Sequence, residues 1–145
     1  MNRLILIVPL LLIMAGVASA APTVPSGITS YVPINLTNSQ TAATPAPFQQ
    51  IIAINSLNYT SYITYNSNFA NFEYFYANGT VIPSWIESNS SGKLITWVKI
   101  AGGIPASSKL TVYLGFANKT TNLLSSSGTS GVGEVAVVCN VRCIV

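Results

Sequence analysis

Residues 109–116 have the sequence KLTVYLGF, the most regular alternation of apolar and hydrophilic side chains in the chain. Every second position holds a large apolar residue: Leu110, Val112, Leu114 and Phe116. A period of two places these side chains on one face of a β-strand, which is typical of a strand with one buried face. The stretch therefore predicts a strand over Leu110–Phe116, with Phe116 as an aromatic anchor of the core.

Five further segments are rich in β-branched and aromatic residues, with turn-forming residues between them, and we interpret them as strands. They are Tyr31–Thr37, Phe48–Ile54, Asn71–Tyr76, Val81–Glu87 and Lys93–Ile100. Asn78-Gly79 favours a tight hairpin turn between two of these strands. Pro33 cannot donate a backbone hydrogen bond, which favours an edge position for the first strand. We expect an all-β fold over residues 28–117, an antiparallel, jelly-roll-like β-sandwich.

Aromatic side chains are concentrated in the middle of the chain, in a cluster that two tryptophans follow. The cluster contains Tyr59, Tyr62, Tyr65, Phe69, Phe72, Tyr74, Phe75 and Tyr76. We expect Trp85 and Trp97 to be core anchors between two sheets. The alternative is an aromatic strip on an exposed sheet face, which binds sugars by stacking. Burial of the aromatic residues would favour a structural domain, and exposure would favour carbohydrate binding.

The charged residues exclude several classes of function. The chain has 6 Lys and Arg residues, 3 acidic residues and no His. The cations are spread along the sequence, whereas a nucleic-acid-binding protein gathers them into a patch. The absence of His excludes His-dependent catalytic triads. We expect no cofactor, no metal ion and no nucleic-acid partner.

The acidic residues allow one catalytic hypothesis. A glycosidase needs two carboxyl groups that face each other across the bond to be cut. Glu73 and Glu87 would lie nearly opposite each other if the strands on either side of Asn78-Gly79 formed a hairpin. We expect instead that both glutamates are solvated and that the protein is not an enzyme.

The first twenty residues are typical of a secretory signal peptide. Arg3 precedes an uncharged apolar run, and Ala18-Ser19-Ala20 is a small-residue cleavage site. We therefore assign residues 1–20 to a signal-peptide helix and residues 21–27 to a linker, and we expect a secreted or cell-surface protein. The alternative is an uncleaved segment that anchors the protein in a membrane through residues 4–20, since the shortest membrane-spanning helices have a similar length.

Asparagine residues in Asn-x-Ser/Thr sequons recur along the exported part of the chain. The candidate N-glycan acceptors are Asn35, Asn58, Asn78, Asn89 and Asn118. Glycans at these positions would supply the surface hydration that charged side chains usually supply.

The C-terminal part of the chain has a different composition. Residues 118–134 are rich in Ser, Gly and Thr and are typical of a linker. Residues 135–145 form an unassigned apolar tail, and the chain could be a fragment. Cys139 and Cys143 lie in this tail; on a strand they would be too far apart for a disulfide bond, whereas a helical turn or a loop would bring them closer.

One block of the sequence resembles a known family. Residues 72–87, FEYFYANGTVIPSWIE, and the following strand with Trp-Val-Lys at residues 97–99 resemble the prokaryotic domain-of-unknown-function family 2341. Residues 31–38, YVPINLTN, are similar to its opening strand. The resemblance implies a secreted or surface-displayed β-sandwich, often next to a concanavalin A-like lectin or glucanase domain. It implies no catalytic residues.

These observations favour a non-catalytic structural or adhesive module of a secreted or cell-surface protein. The alternative is a carbohydrate-binding or accessory module of a glycan-active surface protein. The corresponding partners are cell-envelope proteins or glycans.

Overall fold

The computed structural model describes residues 20–62 and 69–123, and the regular secondary structure of this part is almost entirely β-strand. Its strands are β1 (Ile28–Asn38), β2 (Phe48–Asn55), β3 (Phe72–Tyr76), β4 (Val81–Ile82), β5 (Ser84–Ser90), β6 (Lys93–Ile100) and β7 (Ser108–Ala117). A short 3-10 helix, Ser56–Tyr59, follows β2. All strand pairings are antiparallel, so the prediction of an all-β fold is confirmed.

The strands form two sheets that share one apolar core. The four-stranded sheet has the order β1-β7-β3-β4, and the three-stranded sheet has the order β2-β6-β5. The buried core draws on both sheets: Leu36, Tyr74, Val112, Leu114 and Phe116 from the first, and Ile52, Ile54, Leu94, Val98 and Ile100 from the second. The alternating stretch of residues 109–116 lies in β7, between β1 and β3, and its apolar phase faces this core.

The core contains the ring of Phe116 and the hydroxyl groups of Tyr74 and Thr96, all of which are buried. Phe116 is 1% exposed, and its ring packs edge-on against Phe72 at a centroid distance of 4.8 Å. The Tyr74 hydroxyl of β3 is hydrogen-bonded to Thr96 Oγ1 of β6 at 2.8 Å, and Thr96 Oγ1 also donates to the Ile52 carbonyl at 3.2 Å. The bond between Tyr74 and Thr96 links the two sheets, and both of these side chains are 0% exposed.

The chain crosses from one sheet to the other at Pro83, which corrects the prediction of a single strand over Val81–Glu87. After the turn at Asn78-Gly79, only Val81 and Ile82 pair with β3. Pro83 has no amide hydrogen to continue that ladder, and its carbonyl accepts from Lys99 N on β6 at 2.9 Å. The chain after Pro83 therefore joins the three-stranded sheet as β5.

Each sheet has two edge strands, β1 and β4 in the four-stranded sheet and β2 and β5 in the three-stranded sheet. β1 is an edge of the four-stranded sheet, so the edge position that Pro33 predicts is confirmed. A cavity of about 270 Å³ opens between β1 and β2, next to Asn38 and Gln50.

No helix of residues 20–62 and 69–123 is long and apolar enough to cross a membrane. Residues 1–19 of the proposed signal peptide, most of residues 118–134, and the tail with Cys139 and Cys143 lie outside the described residues.

Candidate binding face

The outer face of the three-stranded sheet presents two tryptophans. Leu94, Thr96, Val98 and Ile100 of β6 are buried, so the residues between them point away from the core. We call this outer surface the tryptophan face, and it consists of Gln49, Ile51, Ala53, Trp85, Glu87, Ile95, Trp97 and Lys99.

Trp85 and Trp97 lie directly opposite each other on β5 and β6. Their rings are stacked, with a centroid distance of 6.0 Å and an interplanar angle of 10°. Both side chains are half-buried and neither belongs to the core, so the prediction that they are core anchors is wrong. Both neighbours of Trp97 along β6 are buried, and side chains alternate between the two faces of a strand, so Trp97 points away from the core. Trp85 lies directly opposite Trp97 on β5 and therefore points to the same outer face.

Glu87 fixes the orientation of one indole. The indole Nε1 of Trp97 donates to the carboxylate of Glu87, which is exposed. The β5–β6 register shifts between Ile86 and Ser88, so Glu87 sits at an irregularity in the strand. Such irregularities redirect a side chain locally, and here the result is a carboxylate beside the tryptophan pair.

Ile51 extends the tryptophan pair into a row across all three strands. It lies opposite Trp97 on β2, and its side chain is 42% exposed, which is high for a large apolar residue. The neighbouring row contains Gln49 opposite Lys99. The tryptophan face is therefore an apolar row with an amide, an ammonium group and a carboxylate around it.

The outer face of the four-stranded sheet is different, because its central aromatic residues, Phe75 and Tyr113, are buried. Phe75 is 0% and Tyr113 8% exposed, and their rings stack at 5.4 Å. Thr23 N, in the segment before β1, donates to the carbonyl of Ala77 at 2.8 Å. Tyr31, at the edge of this face, is 36% exposed. Much of the aromatic cluster in the middle of the sequence is therefore buried, whereas the two tryptophans are partly exposed.

The structure separates the two glutamates of the catalytic hypothesis. Glu73 lies on β3 and Glu87 on β5, which belong to different sheets and do not pair. The expectation that both are solvated is also wrong for Glu73, which is 3% exposed. It lies opposite Gly115, on the same outer face as Phe75. Within residues 20–62 and 69–123, no three His, Cys, Asp or Glu residues come together as metal ligands would.

The sequon asparagines all have exposed side chains: Asn35, Asn58, Asn78, Asn89 and Asn118. They lie on β1, in the 3-10 helix, at the β3–β4 turn, near the end of β5 and after β7. None of them belongs to the tryptophan face. Glycans at these positions would be attached outside the surface formed by Trp85 and Trp97.

Comparison with known proteins gives one informative similarity. Over 91 residues the chain is 36% identical to "Uncharacterized protein 562" of Sulfolobus islandicus rod-shaped virus 1. The aligned region covers 60% of this chain and 16% of the viral protein, so the chain corresponds to a small part of that protein. No family model matches the chain, and no solved structure matches it.

Proposed function

We propose that this protein is a non-catalytic adhesive module of a secreted or cell-surface protein and that it binds glycans through the tryptophan face. The observation that carries the proposal is the stacked Trp85–Trp97 pair on the outside of a sheet. Exposed aromatic pairs are costly to leave in water unless they contact something, because they offer a large apolar surface.

The chemistry of the tryptophan face suits a carbohydrate. The C–H groups on one face of a sugar ring are apolar and pack against an indole, while its hydroxyl groups stay at the rim. Gln49, Glu87 and Lys99 lie at that rim and supply both donors and acceptors. A row that crosses three strands favours an extended saccharide over a single sugar.

The non-catalytic part of the proposal rests on the acidic and basic side chains. The chain has no His, and the carboxyl groups of Glu73 and Glu87 lie on different sheets. Glu87 is already bonded to the Trp97 indole, which suits a positioning role for this carboxylate.

The proposal also includes the type of β-sandwich that the two sheets form. The chain passes repeatedly from one sheet to the other, with β1, β3, β4 and β7 in one and β2, β5 and β6 in the other. We infer a jelly-roll-like sandwich from that order. The N-terminal signal peptide, the use of the sequons and the relationship to family 2341 remain predictions from the sequence.

Tryptophan fluorescence provides a direct test, because Trp85 and Trp97 are the 2 tryptophans of the chain. Titration with a panel of soluble oligosaccharides should give a saturable change in emission for at least one glycan. Trp85→Ala and Trp97→Ala should each abolish binding of that glycan by calorimetry. The matched control is Tyr31→Ala, which removes an exposed aromatic side chain from the other sheet and should leave affinity unchanged. A panel without any saturable change would refute glycan binding and favour the purely structural role.

A further inference from the structure

The edge strands of the two sheets differ in how well they are protected against pairing with another chain. Natural sheets protect their edges with prolines, charges, irregular register or very short strands. β1 contains Pro33, β4 has only 2 residues, and β5 has a register shift next to Glu87. β2 has none of these features.

The sequence of β2 is FQQIIAIN, 8 residues without charge, proline or glycine. It pairs with β6 on one side, and within the described residues its other side is free of strand partners. Uncharged strands of this length and composition readily pair with further strands.

The backbone of β2 presents hydrogen-bonding groups at its free side. Thr96 on β6 donates to the Ile52 carbonyl, so this carbonyl faces the sheet. Because carbonyl directions alternate along a strand, those of Gln49, Ile51 and Ala53 face away from β6. The Ile51 carbonyl accepts from the Gln50 side-chain amide of the same strand at 2.8 Å, a solvent-exposed bond that a partner strand could replace.

We propose that β2 pairs antiparallel with β2 of a second copy of this chain, about a two-fold axis at Ile51. Ile51 then lies opposite its own symmetry mate, and Gln49 lies opposite Ala53 of the other copy. The two three-stranded sheets become one continuous sheet, and the rows of Ile51, Trp97 and Trp85 from both copies join end to end.

Two properties of β2 favour a second copy over a different partner. In a two-fold pair each strand meets itself, so any charge near the axis would be repelled by its own image. β2 carries no charge, and the backbone groups at Ile51 are self-complementary. Since the opposite edge of the same sheet, β5, has the register shift next to Glu87, assembly stops at the dimer instead of continuing into a fibre.

Sedimentation equilibrium of the full chain tests the dimer. The contact is small compared with standard interfaces, so we expect a concentration-dependent monomer–dimer equilibrium. Ile51→Lys places two like charges at the axis, and Ala53→Pro removes an outward amide hydrogen; both should shift the equilibrium to monomer by at least tenfold in Kd. Thr37→Lys, at an exposed position of the protected strand β1, is the matched control and should leave Kd unchanged. Circular dichroism confirms that each variant is folded.

Disulfide trapping provides a second measurement that does not depend on a destabilising variant. In an antiparallel pair the Cα atoms of directly opposed residues lie about 4.5–5.5 Å apart, which a disulfide can span. In a background with Cys139→Ser and Cys143→Ser, Ile51→Cys should form a covalent dimer on mild oxidation, and Asn35→Cys should not. A wild-type chain that stays monomeric together with Ile51→Cys that does not crosslink faster than Asn35→Cys would overturn the proposal. Neither result depends on glycan binding.

Discussion

At the scale of single residues, the hydroxyl pair of Tyr74 and Thr96 is the polar contact with the largest consequences for stability. Tyr74 is 0% exposed, and its hydroxyl is bonded to Thr96 Oγ1, which in turn donates to the Ile52 carbonyl. Leaving one buried hydroxyl without a hydrogen-bond partner destabilises a fold more than removing both partners of the bond together. The pair therefore restricts which substitutions the core accepts.

We expect Thr96→Val to destabilise the fold more than Tyr74→Phe. The valine leaves the Tyr74 hydroxyl buried without a partner, at a cost of about 1–3 kcal/mol. The phenylalanine leaves Thr96 bonded to Ile52, at a cost of about 1 kcal/mol. Urea denaturation measures both, and the double variant should be less destabilised than the sum of the single variants. Equal costs for the two single variants would contradict the proposed donor and acceptor roles.

The same tyrosine gives the fold a pH dependence at alkaline pH. Burial raises the pKa of the Tyr74 hydroxyl well above its ordinary value of 10.0, an effect that the Thr96 hydrogen bond only partly offsets. The unfolded chain loses this proton first, so the stabilisation is complete below that ordinary value and is lost as the pH rises above it. The free energy of unfolding should fall above about pH 10, and Tyr74→Phe should fall less steeply. Parallel curves for the two proteins would contradict the assignment to Tyr74.

Phe116 and Trp97 should differ sharply in their contribution to stability. Phe116→Ala removes a core side chain that is 1% exposed and should cost about 3–5 kcal/mol. Trp97→Ala removes a half-buried ring on an outer face and should cost about 1 kcal/mol, mostly through the lost stack with Trp85. Thermal or urea unfolding distinguishes them, and similar losses would place Trp97 in the core after all.

At the scale of secondary-structure elements, Asn38 joins the loops at one end of the sandwich. It ends β1 and is 5% exposed. Its side-chain nitrogen donates to the carbonyls of Ala42, Ile104 and Pro105 at 2.9–3.0 Å, and its oxygen accepts from Gln40 N at 3.0 Å. One amide thus fixes the connection that follows β1 and the connection that precedes β7.

Asn38→Asp should therefore be strongly destabilising although it changes only one atom of the side chain. The carboxylate cannot donate, and it places negative charge against three carbonyl oxygens, at a cost of about 3 kcal/mol at neutral pH. Protonation restores a donor, so part of the loss should be recovered in mild acid. Asn35→Asp, an exposed amide on the same strand, is the control and should cost little. A small effect of Asn38→Asp would mean that the loops do not depend on this amide.

Most strands could be predicted from residue alternation, but their assignment to sheets could not. Lys109–Phe116 has a regular period of two, and the structure places the apolar phase in the core. Lys93 and Lys99 share the phase of Trp97, so the alternation of β6 also indicates an outer position for this tryptophan, contrary to its prediction as a core anchor. The crossing at Pro83 depends on long-range pairing with β6, which no local pattern encodes.

At the scale of the whole molecule, the five exposed sequon asparagines predict a surface that carries glycans outside the tryptophan face. Secretion from a host that N-glycosylates Asn-x-Ser/Thr should give an intact mass above that of the polypeptide. Single Asn→Gln changes at the acceptors should each remove one glycan. The glycosylated protein should bind oligosaccharide as tightly as the unglycosylated protein, and weaker binding would mean that a glycan reaches the tryptophan face.

The first and last strands of the domain are neighbours, since Ile28 at the start of β1 pairs with Ala117 at the end of β7. The polypeptide therefore enters and leaves the domain at the same end of the β1–β7 pair. If such a domain is part of a longer protein, its two ends lie close together, so the domain adds little to the distance between the segments that flank it. Tension along that longer protein would pull the paired ends apart before it reached the rest of the domain, so β1 and β7 would bear the load first.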